Sequence, residues 1–219
     1  MNREDMEKFI ATNAGLSEEN AADVLQTLIE GISSNYNKNE KEEDEIMLFG
    51  NKENYNDKKS IVIYFSRADE NYSVGYIEKG NTEVIAEYIH DIIGADLFKV
   101  EPAIPYAKDY TTCIEEAKDR QASHHAPIVM SVPDLSAYEV VYIGAPVYWG
   151  VMPEELVTAL KDIDFSGKVI RPFVTHEGSG LANIPAQIRN VCKGANVVDG
   201  LAIQGTLVNS SKPSVENWI

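Results

Sequence analysis

The chain is 219 residues long, and its apolar and charged residues, 44% and 25% of the total, are in the balance of a globular protein with a substantial core. A formal net charge of −16 argues against binding to nucleic acid or to an anionic membrane, because no basic stripe is present to displace phosphate counterions. There is no apolar run long enough for a membrane span, no secretory signal and only two cysteines, so we expect a cytoplasmic protein with neither a disulfide framework nor a metal site.

The first quarter of the chain differs from the rest in charge. Residues 1–57 hold 5 basic and 14 acidic residues, a net charge of −9, whereas residues 58–219 hold 14 and 21, a net charge of −7. Apolar spacing predicts two short helices in the first part, the second capped by Ser17 and followed by a polar linker. We therefore expect residues 1–57 to be an acidic helical extension with a linker, and residues 58–219 to be one domain.

From Lys58 onward, short apolar runs alternate with helical patterns. Five runs are predicted as strands: residues 60–65, 96–100, 140–144, 169–175 and 196–203. Five segments are predicted as helices: residues 81–93, 109–121, a segment beginning at Pro153, residues 184–192 and residues 213–219. This alternation predicts an α/β fold with a parallel sheet and helices on both faces. Ligands bind such sheets beyond the carboxyl ends of the strands, which directs attention to three loops.

The loop after the first strand has the character of an anion site. The strand ends in Ser66-Arg67-Ala68, and the next helix begins with Gly80-Asn81-Thr82. Hydroxyl and backbone N–H groups between a strand and a helix N-terminus bind anions. Neither a Walker A loop nor a G-x-G-x-x-G fingerprint is present, so a nucleoside triphosphate or NAD is not expected.

The loops after the third and fourth strands suggest a flat ligand. One contains Tyr148 and Trp149 between glycines, and large aromatic side chains on a loop are costly to leave in water unless they cover something flat. The other runs from Thr175 to Gly180 and is rich in hydrogen-bond donors, which suits the edge of a heteroaromatic ring. A phosphate site, an aromatic lid and a polar edge together indicate flavin mononucleotide (FMN).

Four motifs resemble the flavodoxin-like proteins, and they occur in the same order and spacing over residues 59–219. They are Ile63-Tyr64-Phe65-Ser66, Gly80-Asn81-Thr82, Gly144 to Gly150, and Thr175 to Gly180. The resemblance is to a short-chain flavodoxin-type domain, since the fifth strand lacks the insertion of the long-chain members. It implies a five-stranded parallel sheet of order 2-1-3-4-5 and bound FMN.

The resemblance also implies which residues bind FMN. It places the phosphate among Ser66, Arg67, Ala68, Asn81 and Thr82. It places the isoalloxazine beside Pro146, Val147, Tyr148, Trp149 and Gly150, with Thr175, His176, Glu177, Gly178, Ser179 and Gly180 along its other edge. No catalytic acid–base pair is expected, because the cofactor carries the chemistry.

One feature departs from the flavodoxin pattern. Residues 69–79 lengthen a first loop that is usually short. This insertion either folds outward and leaves the phosphate site unchanged, or contributes Asn71 and Tyr72 to the flavin pocket.

Several side chains have two interpretations. Arg67 either pairs with the phosphate dianion or is a surface arginine that neutralises nearby acids. Tyr148 and Trp149 either stack on the flavin or are partly buried core residues. His176 is either a donor to the flavin edge or an exposed loop histidine, and Glu177 is expected to point away, because a carboxylate would disfavour an anionic reduced flavin.

The residues outside these loops are expected to be structural. The pair His124-His125 is predicted to lie on the surface, and Cys113 and Cys192 are predicted to be buried, inert thiols.

These patterns predict an FMN-binding flavoprotein, either an electron-transport protein with a redox partner protein or a small oxidoreductase that reduces a quinone-like acceptor. The alternative is a non-enzymatic flavodoxin-fold binding module whose modified first loop has lost or altered flavin binding.

Overall fold

The computed structural model describes residues 55–219, and the structural statements that follow concern this part of the chain. The two helices predicted near the N-terminus, and the predicted linker as far as residue 54, lie outside the described residues. No helix within residues 55–219 is long and apolar enough to cross a bilayer.

Eight strands and five α-helices make up the described region. The strands are β1 (Ser60–Tyr64), β2 (Asp69–Asn71), β3 (Gly75–Ile77), β4 (Asp96–Lys99), β5 (Val140–Pro146), β6 (Val169–His176), β7 (Asn196–Val197) and β8 (Leu201–Gln204). The helices are α1 (Asn81–Ile93), α2 (Tyr110–Ser123), α3 (Glu154–Leu160), α4 (Ile184–Val191) and α5 (Lys212–Trp218), with a 3₁₀ helix at Gly205–Ser210.

The main sheet is parallel, with strand order β4-β1-β5-β6-β7 and β8 also paired to β6. With β7 and β8 counted as two pieces of one edge strand, this is the predicted order 2-1-3-4-5, and the predicted α/β fold is confirmed.

The edge strand is broken for a local reason. The carbonyl of Ile170 accepts a hydrogen bond from the Val198 N–H of the edge strand at 3.0 Å. In a strand, the backbone groups of every second residue point to the same neighbour, so the residue after Ile170 that faces the edge strand is Pro172. Proline has no N–H to donate. The edge strand therefore leaves the ladder at Val198 and resumes at Leu201.

The sheet separates two layers of core, as expected for strands buried on both faces. One layer joins the sheet to α3 and α4 and includes Ile61, Ile63, Val141, Leu156 and Ile188. The other joins it to α1 and α5 and includes Val62, Tyr64, Tyr142, Ile85 and Val215. All five residues of β1 are buried. The sheet is therefore a rigid base for the loops at its carboxyl edge.

Most predicted boundaries agree with the structure within two residues, and three differences affect the site. Strand β5 extends to Pro146 and strand β6 extends to His176, so these two residues belong to strands and not to loops. Residues 69–77 form the β2–β3 hairpin, which has little apolar alternation and was not predicted as strands. The 3₁₀ helix after β8 was also not predicted, and its first residue, Gly205, borders the site.

Candidate functional site

A cavity of about 320 Å³ opens at the carboxyl ends of β1, β5 and β6. Fifteen of the predicted site residues line it: Ser66, Arg67, Asn71, Tyr72, Asn81, Thr82, Pro146, Val147, Tyr148, Trp149, Gly150, Thr175, His176, Glu177 and Ser179. The three predicted residues that do not line it are Ala68, Gly178 and Gly180. Its wall also includes residues that were not predicted: Val74, Tyr110, Cys113, Ile114, Ala117 and Gly205.

One end of the cavity lies at the N-terminus of α1. The Glu83 N–H donates to Ser66 Oγ at 3.0 Å, which ties the end of β1 to the first turn of α1. Gly80 precedes the helix at a point where a Cβ would lie 2.6 Å from the Arg67 carbonyl oxygen and closer still to Ser66 Oγ. The first turn of a helix presents N–H groups without intrahelical partners and a partial positive charge. This end of the cavity can therefore bind an anion.

The guanidinium of Arg67 is bonded to backbone carbonyls, and its charge adds to local hydrogen bonds in lowering the pKa of nearby Asp109. Its Nη1 donates to the Glu70 carbonyl at 2.6 Å, and its Nη2 donates to the carbonyls of Ala107 and Lys108 at 2.6 and 2.7 Å. These bonds neither pair the guanidinium with an acid nor leave Nη1 and Nη2 free for an anion. Arg67 instead joins the β2–β3 hairpin to the segment before α2.

The insertion borders the cavity. Asn71, Tyr72 and Val74 of the hairpin line it, so the insertion contributes to the pocket and does not fold outward. The hairpin is also fastened to α2, because Glu70 Oε2 accepts the Tyr110 N–H at 2.9 Å. The rings of Tyr72 and Tyr110 lie 5.8 Å apart between centroids.

The aromatic loop is a two-residue turn that α2 holds in place. Tyr148 and Val151 exchange backbone hydrogen bonds, and both central residues have positive φ, 52° at Trp149 and 85° at Gly150. Positive φ is rare for a tryptophan and carries a conformational cost. Trp149 Nε1 donates to the Ile114 carbonyl at 2.9 Å, and Gln121 Nε2 donates to the Tyr148 carbonyl at 2.9 Å.

The two aromatic residues of this turn have different environments. Trp149 is 57% exposed, which fits a side chain available to a ligand. Tyr148 is packed edge-on against Phe65 and Tyr106, with ring centroids 6.0 and 5.8 Å away. Burial raises the pKa of Tyr148 well above its usual value, so its hydroxyl stays protonated. Tyr148 is thus both a core residue and part of the cavity wall.

His176 ends β6 and lines the cavity. Its Nδ1 accepts a hydrogen bond from the Gly178 N–H at 2.9 Å. Because a backbone N–H can only donate, Nδ1 carries no proton and the neutral imidazole carries its proton on Nε2. His176 can therefore offer the cavity an N–H donor.

Glu177, which was expected to point away from the flavin, lines the cavity. Its Oε2 accepts from Gln204 Nε2 at 3.3 Å, and its Oε1 is buried without a hydrogen-bond partner among the described residues. A Cβ on Gly205 would collide with this Oε1 and would lie 2.6 Å from Asn81 Nδ2. The side chains of Glu177 and Asn81 therefore occupy the space that Gly205 leaves open. This arrangement puts a carboxylate beside the start of α1.

The two cysteines are buried and the histidine pair is exposed, as expected. Cys113 and Cys192 are both buried, and burial raises the pKa of each thiol. Cys113 nevertheless lines the cavity, which its sequence context did not reveal. His124 and His125 lie on the surface, with the His124 side chain 81% exposed and its Nδ1 3.2 Å from Glu154 Oε1.

Comparison with known proteins supports the resemblance inferred from the motifs. The family model described as Flavodoxin matches residues 71–219. A flavoprotein from Lactobacillus acidophilus, crystallised in complex with FMN, is 22% identical, with a TM-score of 0.53 over 74% of this chain and 98% of that chain. A protein from Bacteroides uniformis classed among the flavoproteins is 22% identical, with a TM-score of 0.59 over 74% of this chain and 97% of that chain. Comparison with curated proteins gives no match. The family match, covering more than half of the residues, shows that the chain belongs to the flavodoxin family.

Proposed function

We propose that this chain binds FMN in the cavity at the carboxyl edge of the sheet and works as a small FMN-dependent redox protein. The observation that carries the proposal is that one cavity joins an anion-binding helix start, an aromatic turn and a histidine donor. The family match and the similarity to a flavoprotein crystallised with FMN support this choice of cofactor.

The start of α1 fits the phosphate of FMN. The hydroxyl of Ser66, the side chain of Asn81 and the first N–H groups of the helix would surround it. Arg67 would not supply a bidentate contact, because its Nη1 and Nη2 donate to backbone carbonyls. Neutral donors and the helix dipole would therefore hold the dianion.

The other end of the cavity fits the isoalloxazine. Trp149 offers an exposed aromatic face, and Tyr148 is neutral and fixed by its packing. His176 would donate from Nε2 to an acceptor on the ring edge, where a donor stabilises negative charge. FMN supplies electron transfer when bound, and these residues orient it and tune its reduction potential.

Two redox roles are consistent with this binding site. An acidic surface favours docking to a basic redox partner protein, which suits an electron shuttle. The β2–β3 hairpin and the His176 donor, both at the cavity, suit a reductase that binds a small acceptor. We favour the reductase, because both features belong to the cavity itself.

Titration of the purified chain with FMN tests the binding proposal. FMN fluorescence should be quenched at one equivalent. Trp149→Ala should weaken binding by about 1–3 kcal/mol if ring contact is lost. Met130→Ala is the matched control, since this residue is exposed and outside the cavity. No quenching with the wild-type chain would reject FMN binding and favour the alternative, a non-enzymatic binding module.

Photoreduction of the FMN-loaded chain separates the two redox roles. A stable one-electron stage in the absorption spectrum supports the shuttle. Direct conversion to the two-electron reduced spectrum supports the reductase.

A further inference from the structure

Arg67 brings a positive charge to the cavity wall without a carboxylate against it. Its Nη1 and Nη2 donate to three backbone carbonyls, and no ion pair joins it to a carboxylate within residues 55–219. Its Nε is buried and has no hydrogen-bond partner among the same residues. Carbonyl dipoles compensate a buried charge only in part. The field of the guanidinium therefore extends into the cavity that Arg67 lines.

The acidic side chains around Arg67 have other partners: Asp69 has Lys108, Glu70 has the Tyr110 N–H, and Asp109 has Thr112. Hydrogen bonds from Thr112 lower the pKa of Asp109, and the charge of Arg67 adds to this effect. Asp109 is exposed, so water screens its own effect on the guanidinium. These carboxylates therefore compensate the Arg67 charge only in part.

The charge of Arg67 acts on the side of the cavity that α2 and the aromatic turn form. Cys113 of α2 and Tyr148 of the turn both line the cavity. Burial raises the pKa of both groups, and the positive charge of Arg67 opposes this rise in each. A nearby cation favours the anionic form of any group that it faces. A ligand ring against Cys113 and Tyr148 would lie in the same field.

Arg67 is also the only arginine or lysine among the described residues that line the cavity. The protein has a formal net charge of −16, so Arg67 is opposite in sign to the overall charge. His176 offers the cavity a neutral N–H from Nε2, and the carboxylate of Glu177 lies beside Asn81 at the start of α1. The cavity is thus polarised, with its positive side chain towards α2 and its negative one at the start of α1.

We propose that the charge of Arg67 stabilises negative charge on the isoalloxazine of FMN and thereby favours its two-electron reduction. The inference rests on the proposed function, since it needs FMN in this cavity. Two electrons and one proton convert the neutral oxidised ring into its anionic reduced form; a reductant such as dithionite supplies the electrons and water supplies the proton. A cation beside the ring lowers the free energy of the anionic form alone, so it raises the reduction potential.

Sulfite titration of the FMN-saturated full chain, together with its two-electron reduction potential, tests the proposal. Sulfite adds through its sulfur to N5 of the oxidised ring and leaves the ring anionic, so its affinity reports the same stabilisation of charge. Arg67→Met removes the cation and should raise the sulfite dissociation constant about tenfold. The potential should fall by about 30 mV, which is the same tenfold change for two electrons. Arg67→Lys keeps the charge and should stay within about threefold of the wild-type sulfite affinity.

Arg67→Lys also separates the charge from the attachment of the hairpin, because an ammonium does not reproduce the geometry of the guanidinium fork. Lys108→Met is the matched control: it removes the same charge from a side chain that is 83% exposed, and it should change sulfite affinity less than about twofold.

The proposal is overturned if Arg67→Met keeps the wild-type sulfite affinity and potential, if Arg67→Lys loses as much as Arg67→Met, or if Lys108→Met has the effect of Arg67→Met. Arg67→Gln, with the same expected result, takes the place of Arg67→Met if that variant does not fold. A wild-type chain that does not bind FMN at all would instead reject the proposed function, and the role of Arg67 with it.

Discussion

Replacing Gly80 by alanine should damage the anion end of the cavity through space alone. The added Cβ would lie 2.6 Å from the carbonyl oxygen of Arg67 and 2.8 Å from its carbonyl carbon, distances at which the backbone must move. The backbone at Gly80 has φ −66° and ψ 146°, an extended conformation that alanine adopts freely. Any loss is therefore steric.

The expected size follows from two opposing effects. Overpacking against the backbone lowers the free energy of unfolding by about 1–3 kcal/mol. Replacing a glycine raises it by about 0.4–1 kcal/mol, because the unfolded chain has fewer conformations. The free energy of unfolding of Gly80→Ala, measured in urea, should fall by about 1–2 kcal/mol. The ratio of the FMN and riboflavin dissociation constants should also change by about tenfold against FMN, since the shift removes roughly one charge-assisted hydrogen bond to the phosphate.

Gly94→Ala separates this steric effect from a general effect of substitution on α1. Gly94 ends the same helix with φ 69° and has no atom within 4 Å of a Cβ position. Its replacement should cost about 1 kcal/mol of stability through the left-handed conformation and leave the preference for FMN unchanged. A Gly80→Ala chain that retains both wild-type stability and wild-type preference for FMN would refute this steric effect.

Three further predictions concern charge. Glu177→Gln removes a carboxylate beside Asn81 and should tighten FMN about two- to fivefold relative to riboflavin; equal effects on both ligands would contradict this. Glu155→Gln leaves Arg120 without its buried carboxylate partner, so the free energy of unfolding measured in urea should fall by about 3 kcal/mol. A loss under about 1 kcal/mol would show that this ion pair does not stabilise the fold. Burial raises the pKa of Cys192 to about 12. Between about pH 9 and 12 the thiol ionises in the unfolded chain but not in the folded one, so the free energy of unfolding should fall over this range. The free energy of unfolding of Cys192→Val, measured over the same range, should fall less steeply than that of wild type.

The elements that could be predicted from the sequence are those with a strong local signal. Helix α1 was predicted with the same bounds, 81–93, because its apolar spacing ends at Gly94, which adopts a left-handed cap. The loops at the strand ends were identified because a parallel sheet brings them to one edge, whatever the details of packing.

The features that escaped prediction depend on contacts between distant parts of the chain. Arg67 bonds to carbonyls about 40 residues away, and no local pattern reports such partners. The α2 face with Cys113 and Ile114 has the spacing of a core stripe, and periodicity does not tell whether a stripe faces the core or a cavity. The direction of Glu177 depends on the space left by Gly205, which follows it by 28 residues.

The absorption spectrum of the full chain, recorded after incubation with FMN and removal of free flavin, tests the central claim most directly. About one equivalent of FMN should be retained per chain, with a spectrum shifted from that of free FMN by contact with Trp149. Protein without flavin absorbance after this step, together with unquenched FMN fluorescence in a titration, would contradict FMN binding.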